Sequence, residues 1–325
     1  SHLGLYADNR VLNPEVKEGD DWKQISWDEA IETAAAALRT AIENHGADQV
    51  GVLVSPSASN EEFFLLQKLA RQLGINSIDH RVREQDFTDD AARPVKPEFE
   101  ASLATVEAAD AILMTGCNVR EEAPLLGHRV RQAWRGGAKV SAINPLDWDF
   151  HFDTDLDAFV APQDMVTELA ALAAAVASLT GAEVPGAIAE TVNGAEPGTR
   201  HDALALRLQK AQQGVVLLGH FAMSPPQAAW LRALAGYVAG ATQCALNLLA
   251  HGGNAAGAWL TGAVPHRGPG GSAVEAGMNA AEMLANPRKC YLVWGLEPGF
   301  DIDNPARAMA AMRGAEQLIV VSPYA

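Results

Sequence analysis

The chain has 325 residues, 48% of them apolar, enough for a buried core and more than one ordinary domain, so two packed units are expected. Its 40 acidic against 24 basic residues give a formal charge of -16 and a pI near 4.9, which repels phosphate backbones and excludes nucleic acid as a partner. The dispersed cysteines Cys117, Cys244 and Cys290 form no Cys-x-x-Cys pair; this argues against zinc or an iron–sulfur cluster here and for small buried hydrophobes in a reducing compartment.

In chain order, Ser1 and His2 stand where Met would be expected, and they read as foreign residues at the head of an excised piece with no basic-then-apolar leader. Ser26 with Glu29 makes a capping box that opens the helical stretch "WDEAIETAAAALRTAIENHG", stopped by Gly46. The β-branched run Gln49 to Pro56 predicts a strand. Ser59 with Glu62 caps a second helix, whose Phe63, Leu66, Ala70 and Leu73 recur at helical spacing until Gly74. The stretch "NSIDHRVREQDF" then gathers His80, Arg81, Arg83, Glu84, Gln85 and Asp86, either a metal or cofactor site or a solvated loop.

Further strands are predicted over Ala111 to Asn118, Lys139 to Pro145, Gly214 to His220, Cys290 to Pro298 and Gln317 to Pro323. Asn118 with Glu121 starts a helical segment reaching Gly136, and Met165 to Leu179 reads as an Ala-rich core helix. "TGAEVPGAIAETVNGAEPGTR" has the composition of a surface loop or boundary. The apolar run "AAWLRALAGYVAGATQCALNLLAHGG" is interrupted by Arg232, Gln243, Asn247 and His251, so it does not span a membrane. At Ala325 the sequence stops just after a strand, which would leave an apolar sheet face bare without a covering helix. Continuous apolar strands alternating with helices mean parallel sheets covered on both faces, an α/β fold.

Ligands of such sheets bind beyond the carboxyl ends of the strands. The loops there are "SPSASNEE", "TGCNVREE", "INPLDWDF", "GHFAMSPP" and "GLEPGFDIDNP"; none is a Gly-x-Gly-x-x-Gly or Walker loop, and their amides either bind phosphate or cap helices. The acidic run "DWDFHFDTDLD" suggests calcium, but an EF-hand count from Asp153 puts Ala158 at the Gly position and Asp164 at the bidentate Glu position; it reads as a solvated loop. "HGGNAAGAWLTGAVPHRGPGG", with His251, His266 and Arg267, suits a backbone approaching a ligand and an irregular surface loop equally. No His-Glu-x-x-His or Gly-x-Ser-x-Gly spacing announces hydrolysis.

Taken in order, "SASNEEFFLLQKLARQLGINSIDH", "TGCNVREEAPLLGHRVRQAWRGGAKVSAINP", "DAFVAPQDMVTELAAL" and "NAAGAWLTGAVPHRGPGG" resemble the molybdopterin oxidoreductase superfamily over nearly the whole chain. They are most similar to its branch in the large peripheral-arm subunit of bacterial NADH-quinone oxidoreductase, respiratory complex I. The resemblance implies two doubly wound, mostly parallel sheet units, one inserted in the other. Residues 1–26 would be the tail of an absent iron–sulfur module, residues 27–79 and 206–325 a discontinuous α/β domain, and residues 80–205 the insertion.

In active members the segment after "Ile-Asp" carries the ligand to molybdenum or tungsten, and this pattern places Gln85 there. A neutral carboxamide is a weak ligand for a hard, high-valent metal; a register slip of one residue would offer Asp86 instead. The complex I branch has lost pterin and metal, which implies vestigial pterin loops near Asn60, Gln85, Asn118 and Asn144, no catalytic or metal residue, and no cofactor in this piece. The parent subunit would carry 4Fe-4S and 2Fe-2S clusters and pass electrons from NADH towards quinone. Its partners would be the other proteins of the peripheral arm, on the cytoplasmic side of the bacterial inner membrane. The alternatives are an active molybdopterin-dependent oxidoreductase, with pterin in the loops around Asn60, Asn118 and Asn144, or a free-standing α/β module for a small anion or nucleotide.

Overall fold

The computed structural model describes residues 10–97 and 99–324, so Ser1 and His2 lie outside the described residues. The chain divides into an outer unit of residues 1–83 and 251–325 and an inserted unit of residues 84–250. A charged, exposed hairpin comes first, β1 (Glu15–Glu18) pairing antiparallel with β2 (Asp21–Gln24).

The outer unit's remaining strands are β3 (Val50–Val54), β4 (Ile78–Asp79), β10 (Cys290–Trp294) and β11 (Gln317–Val321), all parallel in the order β11-β10-β3-β4. Both faces of the two central strands are buried, which is why they read as unbroken apolar runs. Val50, Val52, Val54 and Leu292 meet Phe63, Leu66 and Ala70 of the helix Asn60–Gln72 on one face. Leu53, Tyr291 and Val293 meet Met283 and Met312 on the other. The edge strand β11 leaves Leu318, Val320 and Val321 exposed. The helices Trp27–His45 and Asn60–Gln72 both begin with the predicted capping boxes, at Ser26/Glu29 and Ser59/Glu62.

The inserted unit contains β5 (Ala111–Thr115), β6 (Lys139–Asn144), β7 (Ala158–Phe159), β8 (Gly214–Leu218) and β9 (Ala245–Leu248), parallel in the order β7-β6-β5-β8-β9. Leu113, Ile143, Val216 and Leu218 face the helices Met165–Thr180 and Ala228–Thr242, while Ile112, Met114, Val140 and Leu217 face the helix Pro124–Arg135.

Four expectations need correction. The second domain boundary falls at Ala250/His251 and not at 205/206, because β8 is hydrogen-bonded along β5 and β9 along β8, so residues 206–250 complete the inserted sheet. The first falls at Arg83/Glu84, a few residues past Asp79. The Gly/Pro-rich stretch after Thr180 is no plain loop: it holds the helix Gly186–Asn193, started by Pro185 and anchored by the buried Ile188 and Val192 at i, i+4 spacing. The Asn118 helix start is not a cap by Glu121; the short helix Val119–Glu122 ends at Ala123, where Pro124 begins a separate helix, and Glu122 receives the Asn118 N–H.

Candidate cofactor site

The polar run after β4 is neither a metal cluster nor a solvated loop in its first half. Asp79 is wholly buried and accepts from Arg81 Nε at 2.9 Å, Arg81 Nη2 at 3.0 Å, and the backbone N–H groups of Arg81 and Ala280 at 3.1 Å each. The Arg81 guanidinium lies 5.0 Å from the Trp259 ring centre, so the pair is shielded by an aromatic face. His80 Nδ1 donates to the Ala263 carbonyl at 3.0 Å, and its ring packs edge-on against Phe63 and Trp259. Arg83 donates to the carbonyls of Phe300 and Asp301 at 2.9 Å each.

In the inserted unit, Gln85 is exposed and its N–H donates to the Ser224 carbonyl at 3.1 Å. Both oxygens of the neighbouring Asp86 are engaged. Oδ1 accepts from the Thr88 hydroxyl at 2.7 Å and the Thr88 N–H at 3.1 Å, and Oδ2 from the Ala229 N–H at 2.8 Å. Burial works to raise the Asp86 carboxyl, but these hydrogen bonds and the Arg232 charge outweigh it and hold the carboxyl below its ordinary value. A one-residue register shift therefore exchanges an exposed amide for a carboxylate already bound by the protein.

The other residues that the resemblance assigns to pterin loops are mostly engaged in the same way. Asn144 is fully buried at the end of β6; its Oδ1 accepts the Cys117 N–H at 2.8 Å and its Nδ2 donates to the Cys117 carbonyl at 3.3 Å, imitating a strand partner. Asn60 Oδ1 accepts from Asn254 Nδ2 at 3.0 Å, and the helix residue Gly257 passes so close that a Cβ there would lie 2.0 Å from Asn60 Oδ1. The glycines of the Gly-rich region thus make room for the protein's own side chains, Gly252 against Pro56 and Gly257 against Asn60 and Asn254. Asn118 differs: its N–H goes to Glu122, while its side-chain Oδ1 is buried without a hydrogen-bond partner.

The three thiols are buried. Burial, reinforced by the Glu122 carboxylate, pushes the Cys117 thiol well up, and burial raises Cys290 to about 11, so neither supplies a thiolate near neutrality. Among the described residues no group of three or more His, Cys, Asp or Glu side chains could hold a metal ion. In the acidic run, Asp147, Asp149, Asp153 and Asp155 are exposed, as read from the sequence, but Asp157 accepts from the Ala142 N–H at 2.7 Å and the Thr154 hydroxyl at 2.6 Å. Asp155 pairs with Arg207.

A pterin-held metal requires an anionic ligand from the chain and loop groups free to receive the cofactor. Gln85 offers a neutral amide, and Asp86, Asn60 and Asn144 spend the atoms they would need on internal bonds. Apart from the open Oδ1 of Asn118, the side chains at these positions do not fit the group.

A family model described as molybdopterin oxidoreductase matches residues 10–244. The chain is 31% identical over 145 residues to the F420-dependent formate dehydrogenase subunit alpha of Methanocaldococcus jannaschii, a match covering 43% of this chain and 21% of that protein. It is 30% identical over 162 residues to the probable oxidoreductase YjgC of Bacillus subtilis, covering 48% of this chain and 16% of that one. The match thus spans about a fifth or less of these curated relatives. Acetylene hydratase from Pelobacter acetylenicus shares the fold, with a TM-score of 0.68 at 13% identity over 98% of this chain and 54% of that one. The family model covers well over half of the chain, and this chain belongs to the molybdopterin oxidoreductase family.

Proposed function

We propose that this chain serves an electron-transfer oxidoreductase as a folded piece without its own reaction centre, in the manner of the large peripheral-arm subunit of bacterial NADH-quinone oxidoreductase. One observation supports the reading: Gln85, which the resemblance puts at the metal-ligand position, presents an exposed amide, and the adjacent carboxylate of Asp86 is bound on both oxygens. Electron transfer would run through iron–sulfur clusters in other parts of the parent protein, and the partners would be its neighbours in the peripheral arm. Among the described residues no helix is long and apolar enough to cross a membrane.

A second reading is an active molybdopterin-dependent oxidoreductase of the formate dehydrogenase kind. The curated relatives support it more directly than they support a complex I component, and the open buried acceptor on Asn118 favours it too. Metal analysis of the whole protein purified from its host separates the two. The scaffold reading expects iron but neither molybdenum nor tungsten; either metal in stoichiometric amount overturns it in favour of the second.

A further inference from the structure

In an open parallel sheet the crevice for an anionic ligand lies where the strand order reverses, between the loops of two diverging strands. The inserted sheet reverses between β5 and β8, since the chain passes from β5 to β6 on one side while β8 and β9 lie on the other. The Glu122 carboxylate bridges the loops at this place. Its Oε1 accepts the Asn118 N–H after β5 at 2.8 Å, and its Oε2 accepts the His220 N–H after β8 at 2.8 Å. The loops are drawn tight around it, for a Cβ on Gly219 would lie 2.3 Å from the Cys117 Cα.

The outer sheet reverses between β3 and β10 and repeats the arrangement with different residues. The Glu62 carboxylate accepts the Ser59 N–H after β3 at 2.7 Å and the indole N–H of Trp294, at the end of β10, at 3.0 Å. In each unit an acid a few residues past the central strand satisfies donors from both sides of the reversal.

We propose that Glu122, and Glu62 in parallel, are built-in anions: the chain itself supplies the negative charge that a ligand's phosphate would bring to each crevice, which closes it to external anions. Two preorganised N–H donors left facing each other without an anion would be costly, so a carboxylate on a fixed segment keeps the lost-cofactor fold intact. The inference rests on the reading that these loops hold no pterin, and it also says what replaced it.

The test uses the full chain with inorganic pyrophosphate and acetate as probes and chloride at matched ionic strength as control. The native chain is expected to melt at the same temperature in pyrophosphate as in chloride. The Glu122→Ala variant is expected to melt lower and to recover most of the loss in millimolar pyrophosphate or acetate, but not in chloride. Pyrophosphate shifting the Asn118 and His220 amide resonances of the native chain overturns the proposal, and so does a variant that gains no more from pyrophosphate or acetate than from chloride. Should Glu122→Ala not fold, Glu122→Gln keeps the shape and removes the charge. Exchange of the Asn118 and His220 amide protons should then quicken by about tenfold or more, as a lost charge-assisted hydrogen bond requires; unchanged exchange overturns the assignment. The two readings fail separately, since molybdenum in the whole protein removes the scaffold while the anion titration decides on Glu122.

Discussion

Asp79 carries one of the most demanding charges in the outer unit, because its removal from water is compensated through four N–H contacts that all depend on the folded chain. Asp79→Asn should therefore destabilise the protein by about 3–5 kcal/mol, measured by urea unfolding, since Arg81 is left buried beside a neutral group. Replacing both residues by apolar ones of similar volume should cost less than the single change, and a larger cost would show that the pair itself stabilises the fold. Asp86 makes a prediction about acid. Its folded-state value lies below the unfolded value of about 3.9, so its contribution is complete above that pH and is lost as pH falls through the depressed value. Stability measured from pH 5 downward should thus decline less steeply in Asp86→Asn than in the native chain; parallel curves would show that Asp86 is not a source of the acid sensitivity. At this scale the sequence was a partial guide. It picked out Asn60, Gln85, Asn118 and Asn144 as loop positions, but the partner that occupies Asn144 is Cys117, beyond the end of another strand, and no local pattern announces such a pair.

The elements were more legible than the contacts, for reasons visible in particular stretches. Six of the predicted strands are present because each is a continuous β-branched or apolar run, five of them with burial on both faces. Strand β9 escaped notice because the helix before it ends without a glycine: Gln243 occupies the left-handed C-cap with φ 59, so helix and strand read as one apolar run. Gln243→Gly should relieve that backbone penalty and raise stability by about 0.5–1 kcal/mol in thermal or urea melts, because the side chain is exposed and a Gly loses nothing by being left-handed. A loss of stability would mean that the glutamine side chain contributes more than its backbone costs. The hairpin β1–β2 was invisible for the opposite reason, being exposed on both faces and without alternation.

At the scale of the whole molecule, the resemblance supplied the insertion of one α/β unit in another, and hydrogen bonding between strands corrected where it ends. The net charge of -16 is spread over a chain whose exposed acidic loops lie in both units. The closure of the two crevices is local chemistry, two bridging carboxylates that a single substitution at each would test.

The position of β10 between β3 and β11 imposes an order on birth at the ribosome. The inserted unit has all five of its strands once Ala250 has emerged, so it can reach its native pairing while the remainder is still being translated. Strand β3, made far earlier, has no central neighbour until Cys290–Trp294 is released, and until then Val50–Val54 is an apolar segment awaiting its mate. Stalled nascent chains ending beyond Ala250 should accordingly show a protease-resistant core of residues 84–250 with cleavage around β3, and resistance should spread to β3 only when translation passes Trp294. Early protection of β3 would place its first pairing with the short strand β4 instead.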